Sequence, residues 1–276
     1  MKPINEFYTI LNQPFKAIIT CHQKPDGDAM GSVLGLYHFL KQLGHDVQVI
    51  SPTNWANFLD WMPGINHVMD FEKEKPLSTQ LINKADYLFC LDFNILHRTK
   101  HLEPVALQSK CQKILLDHHQ EPDIQSFDYG VSDVSKSSTC EMIYNFIVGS
   151  GHADKINMDI ATCLYTGMLT DTGSFRFPST TASVHKIVAH FKELGLQHSF
   201  IHEQIFDQSS ENRLQFMGNV FLNRMEVFSD KNAALMSIPA SDIRQFNIKT
   251  GDTEGLVNYL LSIKGIKLAA IVIDRE

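Results

Sequence analysis

The sequence has few of the features that mark specialised structural classes. Its five cysteines are odd in number and widely spaced, and no two of them form a Cys-X-X-Cys pair. Isolated cysteines of this kind are typical of reduced, mostly buried thiols, whereas disulfide frameworks and zinc knuckles need paired ones. We therefore expect a cytoplasmic protein without structural disulfides.

Long apolar runs are also missing. No stretch approaches the roughly 18 continuous apolar residues that indicate a membrane span. The first residues, MKPINEFYTILNQPF, contain no apolar block of the kind found in signal peptides. Repeats and low-complexity segments are absent as well. The remaining interpretation is a globular chain of 276 residues, long enough for one large domain or two smaller ones.

Positive charge is in deficit. The sequence has 24 lysines and arginines against 31 acidic residues, which gives a formal net charge of −7 and a pI near 6.0. This balance argues against a broad basic surface that holds long duplex nucleic acid. The 13 histidines are the compositional feature that these exclusions leave unexplained.

The first 190 or so residues alternate between short apolar strands and segments with apolar residues at helical spacing. Alternation of this kind predicts an α/β fold, in which a parallel sheet carries helices on both faces. The predicted strands cover residues 17–20, 47–50, 87–91 and 113–116, and the predicted helices cover residues 29–43, 139–148, 158–170 and 181–194.

The pattern changes after about residue 190. Residues 197–223 are polar with helical spacing, and we expect them to connect two bodies. The elements predicted beyond them are a hairpin of residues 224–228 and 233–238, a helix over 254–263 and a strand over 267–273. We therefore predict a large α/β domain over 1–190, a helical linker over 191–222 and a smaller α/β domain over 223–276.

Acidic and histidine residues follow the ends of several predicted elements. They are His22, Asp26 and Asp28 after the first strand, Asp92 after the third, Asp117, His118 and His119 after the fourth, and Asp171 at the end of an apolar helix. Each of them alone is ordinary turn chemistry. Because the carboxyl ends of parallel strands meet at one ligand-binding edge of a sheet, we expect the strand-end residues to gather there.

Carboxylates crowded in this way repel one another unless a cation compensates them. A divalent metal is such a cation, and mixed aspartate and histidine donors suit Mn²⁺, and also Mg²⁺, Fe²⁺ or Co²⁺, better than a metal that prefers thiolates. The candidate donors are too many for one ion. The sequence therefore predicts two ions that share a bridging aspartate, as in two-metal hydrolases.

The order of these residues resembles the DHH phosphoesterase family. The triplet Asp117-His118-His119 has the sequence that names the family, and the HxxxDxD motif of the family is present from His22 to Asp28. Residues 253–258, TEGLVN, resemble a segment of the associated C-terminal DHHA1 domain, so the resemblance covers essentially the whole chain. Together with GSFRF at residues 173–177, that segment most resembles the nanoRNase and pAp-phosphatase branch.

The resemblance implies an enzyme with a DHH catalytic domain and a smaller DHHA1 domain. Its implied substrates are short single-stranded oligonucleotides and 3′-phosphoadenosine 5′-phosphate (pAp), with no long duplex and no membrane as partners. It implies two divalent ions, Mn²⁺ before Mg²⁺, Co²⁺ or Fe²⁺, and attack on phosphorus by a hydroxide that bridges them. Because relatives are often dimers, a homodimer is also expected.

The resemblance further implies a role for each motif residue. Asp117 would orient His118, and His119 would stabilise the charge that develops on the scissile phosphate. The implied metal ligands are His22 and Asp26 for one ion, Asp28, His118 and Asp171 for the other, and Asp92 as the bridge.

Five more residues are candidates for substrate contacts. Gly31 and Ser32 would open a helix whose N-terminal amides receive a phosphate, although a plain helix start explains them equally well. Ser138 and Thr139 precede a predicted helix, where they would either cap it or contact substrate. Arg176 would either reach a phosphate or form a surface salt bridge.

The sequence departs from the family at its C-terminal end. The GGGH segment of the DHHA1 domain, and the arginine-containing strand before it, are missing. We expect a shortened chain rather than a natural variant, with its metal ligands present and its substrate affinity reduced. The alternative functions are an inorganic pyrophosphatase or exopolyphosphatase, a phosphodiesterase of cyclic dinucleotides, and a non-catalytic nucleotide-binding regulatory module.

Overall fold

The computed structural model describes residues 1–274, which divide into two compact units. Unit 1 consists of Met1–Trp55 and Leu59–His202, and unit 2 consists of Ala56–Phe58 and the chain from Glu203 onward. The domain and linker boundaries given above, at residues 190 and 222, stay predictions.

Unit 1 is built on a seven-stranded sheet in which every pair of neighbouring strands is parallel. The strands are β1 (Lys2–Pro3), β2 (Lys16–Thr20), β3 (Asp46–Ser51), β4 (Val68–Asp70), β5 (Tyr87–Leu91), β6 (Gln112–Asp117) and β7 (Tyr129–Ser132). Their order in the sheet is β1-β7-β6-β5-β2-β3-β4. The strand order reverses at β2 and β5, and ligands of open α/β sheets bind in the crevice beside such a reversal.

Helices cover both faces of this sheet, which confirms the predicted fold class. On one face, Ile18, Leu88 and Leu115 from three strands pack in one buried cluster with Ile82 and Ala106 from two helices. The helices of the unit are α1 (Gly27–Gln42), α2 (Lys75–Lys84), α3 (Glu103–Gln108), α4 (Thr139–Gly149), α5 (Met158–Asp171) and α6 (Ala182–Glu193), and α7 (His198–Phe206) runs across the unit boundary. None of the helices described is both long enough and apolar enough to span a membrane.

The sequence prediction missed three strands, β1, β4 and β7. They are two to four residues long, and β1 and β4 form the two edges of the sheet. Strands this short contain no apolar run, so only their pairing with a neighbour reveals them. Short 3₁₀ segments complete the connections, at Ile4–Phe7, Ile10–Asn12, Asn57–Leu59, Ile65–His67, Leu96–Leu102, Ile124–Ser126, Ala153–Lys155 and Ser229–Lys231.

In the part of unit 2 that the structure describes, there are a three-stranded sheet and three helices that lie entirely within the unit. Its elements are α8 (Glu211–Asn223), β8 (Met225–Phe228), β9 (Ala233–Ile238), α9 (Ala240–Gln245), α10 (Leu256–Leu261) and β10 (Leu268–Ile273). The predicted hairpin is confirmed, because β8 and β9 pair antiparallel, and β10 joins β9 in parallel. Phe216, Met236 and Leu256 are fully buried in its core. The polar stretch over residues 197–223 contains two helices rather than one continuous helix.

Candidate metal centre

Side chains from five elements meet at the carboxyl edge of the large sheet. His22 follows β2, Asp26 and Asp28 lie at the start of α1, Asp92 follows β5, and His118 follows β6. Asp171 closes the set from the last turn of α5. The arrangement follows from the strand order, since β2, β5 and β6 are consecutive neighbours whose carboxyl ends share one edge.

Asp92 lies at the middle of this group. One of its carboxylate oxygens is 3.4 Å from Nε2 of His22, and the other is 3.5 Å from Nε2 of His118. Its backbone has a φ of 62°, in the left-handed region that few residues other than glycine adopt. Backbone strain of this kind is concentrated at functional sites, where the surrounding structure enforces it.

Two histidines are held by backbone carbonyl groups. Nδ1 of His22 donates to the carbonyl of Gln23 at 2.8 Å, and Nδ1 of His118 donates to the carbonyl of Lys136 at 3.4 Å. These bonds place a proton on Nδ1 and direct Nε2 at the carboxylates, so that Nε2 can bind a metal ion when it gives up its own proton. This is the orientation that metal-binding histidines usually have.

The donor atoms form three overlapping groups in which all ligand atoms lie within 4.8 Å of one another. These groups are His22, Asp26 and Asp92; Asp28, His118 and Asp171; and Asp92, His118 and His119. Their oxygen and imidazole nitrogen donors match the preferences of Mn²⁺ and similar divalent ions. By geometry and by chemistry, these residues fit a metal centre, and the sequence-predicted ligands are the side chains brought together.

The electrostatics of the group favour a bound cation. Burial, reinforced by the charge of Asp92, raises the pKa of Asp28 well above its ordinary value, and burial raises the pKa of Asp171 to about 6. Asp26 has a raised pKa for the same reasons. The basic groups that lie within 4 Å of these carboxylates include the rings of His22 and His118.

The contact between Asp92 and His118 stabilises the charged form of both groups. Burial opposes the ionisation of Asp92, but hydrogen bonds from His118 and His22 hold the pKa of Asp92 below its ordinary value. Burial also disfavours the imidazolium of His118, yet its contact with Asp92 and the nearby acids raises its pKa to about 10. The acids thus favour the protonated form of His118. A bound divalent ion would supply positive charge at the same place.

The structure corrects the expected partner of Asp117. Its carboxylate accepts from Nδ1 of His119 at 2.7 Å and from the His119 amide at 3.1 Å, whereas His118 bonds to Lys136. Asp117 therefore orients His119, because its side chain bonds both the backbone and the ring of the residue two positions on, as in an Asx turn. The His119 side chain is 35% exposed, and Asp117 is fully buried.

The predicted substrate residues are placed differently from the expectation. Helix α1 begins at Gly27 with Asp26 as its cap, so Gly31 and Ser32 lie inside the helix and are buried. Ser138 and Thr139 are fully buried too, which leaves them no surface for substrate. Arg176 is exposed and donates from Nε to the carbonyl of Gly173 at 2.6 Å. Its contact with substrate stays a prediction.

The alternative prediction that this segment caps α4 is confirmed for Ser138, whereas sequence reasoning missed the contact that Thr139 makes with Asp92. The hydroxyl of Ser138 caps α4 by accepting from the amide of Glu141, and the hydroxyl of Thr139 donates to Asp92 at 2.9 Å. A serine followed three residues later by glutamate is a capping-box pattern. That pattern marks the start of the helix, but it carries no sign of the contact with Asp92.

A parallel α/β sheet with acids and histidines gathered at its carboxyl edge defines a metal-dependent hydrolase. The family model for the N-terminal domain of the DHH family matches residues 16–168, more than half of the chain, and the chain belongs to this family. It is a metal-dependent phosphoesterase, and several of its curated relatives are named as bifunctional oligoribonucleases and PAP phosphatases.

Two of these relatives have the same name. The bifunctional oligoribonuclease and PAP phosphatase NrnA of Bacillus subtilis (strain 168) is 26% identical over 261 residues, which cover 94% of this chain and 78% of that protein. The NrnA of Thermus thermophilus is 31% identical over 180 residues, or 65% of this chain and 50% of that protein.

A solved structure is also similar over nearly the whole chain. The crystal structure of an exopolyphosphatase-related protein from Bacteroides fragilis matches with a TM-score of 0.90 and 36% identity, and covers 95% of this chain and 77% of that chain. The similarity includes residues of both units, because the 95% of the chain that is matched is more than unit 1 alone contains.

Proposed function

We propose that this chain hydrolyses short oligoribonucleotides and pAp with the help of two divalent ions, with Mn²⁺ as the favoured metal. The observation that carries the proposal is the position of Asp92, whose two oxygens face histidines of two different ligand groups. The substrate class rests on the curated relatives, which are named as oligoribonucleases and PAP phosphatases.

The proposed ligands divide into two sets. His22 and Asp26 would hold one ion, Asp28, His118 and Asp171 the other, and Asp92 would contact both. When bound, the two ions would neutralise the crowded carboxylates, lower the pKa of a water molecule and polarise the phosphate. The raised pKa values of Asp28 and Asp171 support cation binding here, because burial and the charge of neighbouring acids disfavour the ionised form of each acid.

His119 and Asp117 are proposed to act on the substrate. The bond from Nδ1 of His119 to Asp117 fixes the ring, and the partial exposure of His119 leaves Nε2 available to a phosphate oxygen. A hydrogen-bond donor held in this way stabilises charge as it develops on the phosphate. Asp117, which is buried, would act by holding His119 in that orientation and protonation state.

A substrate panel tests the proposal. The purified chain, loaded with Mn²⁺, is incubated with the dinucleotide pApA, with pAp, with pyrophosphate and with polyphosphate. We expect AMP from both nucleotide substrates. The matched control is Asp92→Asn purified in parallel, which should be inactive and so rules out a contaminating nuclease.

Two results would contradict this function. Rapid hydrolysis of pyrophosphate or polyphosphate with inert pApA would favour the exopolyphosphatase alternative, which the name of the Bacteroides fragilis relative suggests. Wild-type protein that holds no metal on elemental analysis would instead favour the non-catalytic nucleotide-binding alternative.

A further inference from the structure

The first turn of helix α4 is bonded to the carboxylate of Asp28. The amide of Thr139 donates to Oδ2 of Asp28 at 2.6 Å, and the amide of Cys140 donates to Oδ1 at 2.9 Å. The first amides of a helix have no partner within the helix, and the positive end of the helix dipole favours a negative group there. An acid from another helix, 111 residues away in sequence from Thr139, therefore satisfies the start of α4.

The side chain of Thr139 reaches a second proposed ligand. Its hydroxyl donates to Oδ1 of Asp92 at 2.9 Å, the same oxygen that lies 3.5 Å from Nε2 of His118. Thr139 is fully buried and Asp92 is 2% exposed, so water does not compete for this bond. One residue of α4 thus bonds, through its amide and its hydroxyl, to two carboxylates of the metal centre.

The turn before α4 supports a third proposed ligand. The buried carboxylate of Glu141 accepts from the amide and the hydroxyl of Ser137, at 2.8 and 2.9 Å. These bonds fix the backbone next to Lys136, whose carbonyl accepts from Nδ1 of His118. The segment 136–141 is therefore a rigid support for ligands that come from α1, β5 and β6.

Helix α5 packs tightly enough to hold this support in place. A Cβ atom at Gly167 would lie 2.8 Å from Oδ1 of Asp28, and one at Gly31 would lie 2.5 Å from the carbonyl of Cys163. Only glycine permits these approaches. The start of α4 is thus enclosed by α1 and α5, with little freedom to move relative to Asp28.

We propose that Thr139 is a positioning residue, which sets the orientation of Asp92 and so the affinity of the site for divalent ions. The inference rests on the proposed ligand set, in which Asp92 contacts both ions. Thr139 is fully buried and its hydroxyl donates the hydrogen bond, so its methyl group can contribute only by packing. Substitutions that remove the hydroxyl or the methyl group individually therefore distinguish an effect on the position of Asp92 from an effect on packing.

The experiment compares four variants by their binding of Mn²⁺. Thr139→Val keeps the shape without the hydroxyl, Thr139→Ala removes both groups, and Thr139→Ser keeps the hydroxyl. The control is Thr166→Val, since Thr166 is also fully buried but donates only to the carbonyl of Thr162. Mn²⁺ affinity and stoichiometry are measured by isothermal titration calorimetry, and kcat and KM for pApA are measured at saturating Mn²⁺.

We expect Thr139→Val and Thr139→Ala to weaken Mn²⁺ binding by about 10- to 100-fold, as removal of groups that support metal ligands typically does. Thr139→Ser and Thr166→Val should bind Mn²⁺ like the wild type. The KM for pApA should stay unchanged in all four, because Thr139 has no surface for substrate. Thr139→Ala keeps the test open if the valine variant does not fold.

Wild-type affinity in Thr139→Val or Thr139→Ala would overturn the inference, as would equal losses in Thr139→Ser. A change in KM with unchanged Mn²⁺ affinity would also overturn it and would indicate a substrate contact instead. Wild-type protein that binds no Mn²⁺ is a separate outcome, because it contradicts the proposed ligand set itself.

Discussion

Asp242 of unit 2 and the acids of the candidate metal centre in unit 1 have different partners, which neutralise them differently. In unit 2, Asp242 of α9 accepts two hydrogen bonds from Arg224, at 2.8 and 3.0 Å, and one from Asn219 at 2.9 Å. The guanidinium of Arg224 holds the pKa of Asp242 below its ordinary value. In unit 1, Asp28 and Asp171 face other acids and histidines, and both have raised pKa values.

The difference in partners distinguishes a structural acid, Asp242, from the acids that we propose bind metal ions. A buried carboxylate with a bidentate arginine is complete without any further group. Carboxylates that raise one another's pKa are stable only as acids, with a protonated histidine, or with an added cation. Burial alone is common to both places, so the charge of the partner, rather than burial, identifies the metal centre.

Among the acids of unit 1, substitution of Asp92 should have the largest effect on activity. We expect Asp92→Asn to lower kcat/KM for pApA by at least about three orders of magnitude, because both proposed ions lose a shared ligand. Asparagine is the suitable substitution, since it tolerates the left-handed backbone of Asp92 as well as aspartate does. Kinetics are measured together with the bound metal per chain, and near-normal turnover would show that Asp92 is not shared.

A smaller effect is expected at His119. His119→Gln should slow hydrolysis of pApA by about 10²- to 10³-fold, the usual loss for one charge-stabilising donor. The bound Mn²⁺ should stay at the wild-type level, because Asp92 and His118 remain. Nδ1 of His119 lies 3.8 Å from Asp92, so a role as a ligand is the competing explanation. Loss of Mn²⁺ from His119→Gln would establish that explanation.

Most of the fold could be predicted from the sequence because β2, β3, β5 and β6 are strands of five or six residues that each contain several apolar ones. β1 and β4 escaped prediction because an edge strand of two or three residues exists only through its pairing. The gathering of His22, Asp92 and His118 was predictable for the same reason as the sheet. Residues that follow adjacent parallel strands are neighbours whatever their loops do.

The contacts between these side chains could not be predicted. Asp117 bonds to His119 rather than to His118 because of a turn of the backbone at the end of β6, and no residue pattern encodes that turn. The bonds from α4 to Asp28 depend on the docking of three helices, which the sequence shows only as separate segments. Sequence therefore predicted which residues meet, and the structure gives their orientation.

The smallest expected effect is on the stability of the metal-free protein as a function of pH, which compares Asp171 with Asp242. The pKa of Asp171 is raised by burial to about 6, so ionised Asp171 destabilises the folded unit 1 without metal. This penalty develops as pH rises from about 4, the ordinary value for aspartate, through 6. Asp242 has a lowered pKa, so its stabilisation is present above about pH 4 and is lost as pH falls through its folded pKa.

Replacement of each aspartate by asparagine should therefore have opposite effects on the stability of chelator-treated protein at pH 7. Asp171→Asn should stabilise unit 1 by roughly 1–2 kcal/mol, less than its full pKa shift implies because the side chain is partly exposed. Asp242→Asn should destabilise unit 2. Both tryptophans, Trp55 and Trp61, lie in unit 1, so their fluorescence monitors that unit, and hydrogen exchange of α9 monitors unit 2. Equal destabilisation by both variants would show that the acids of unit 1 are structural, as Asp242 is.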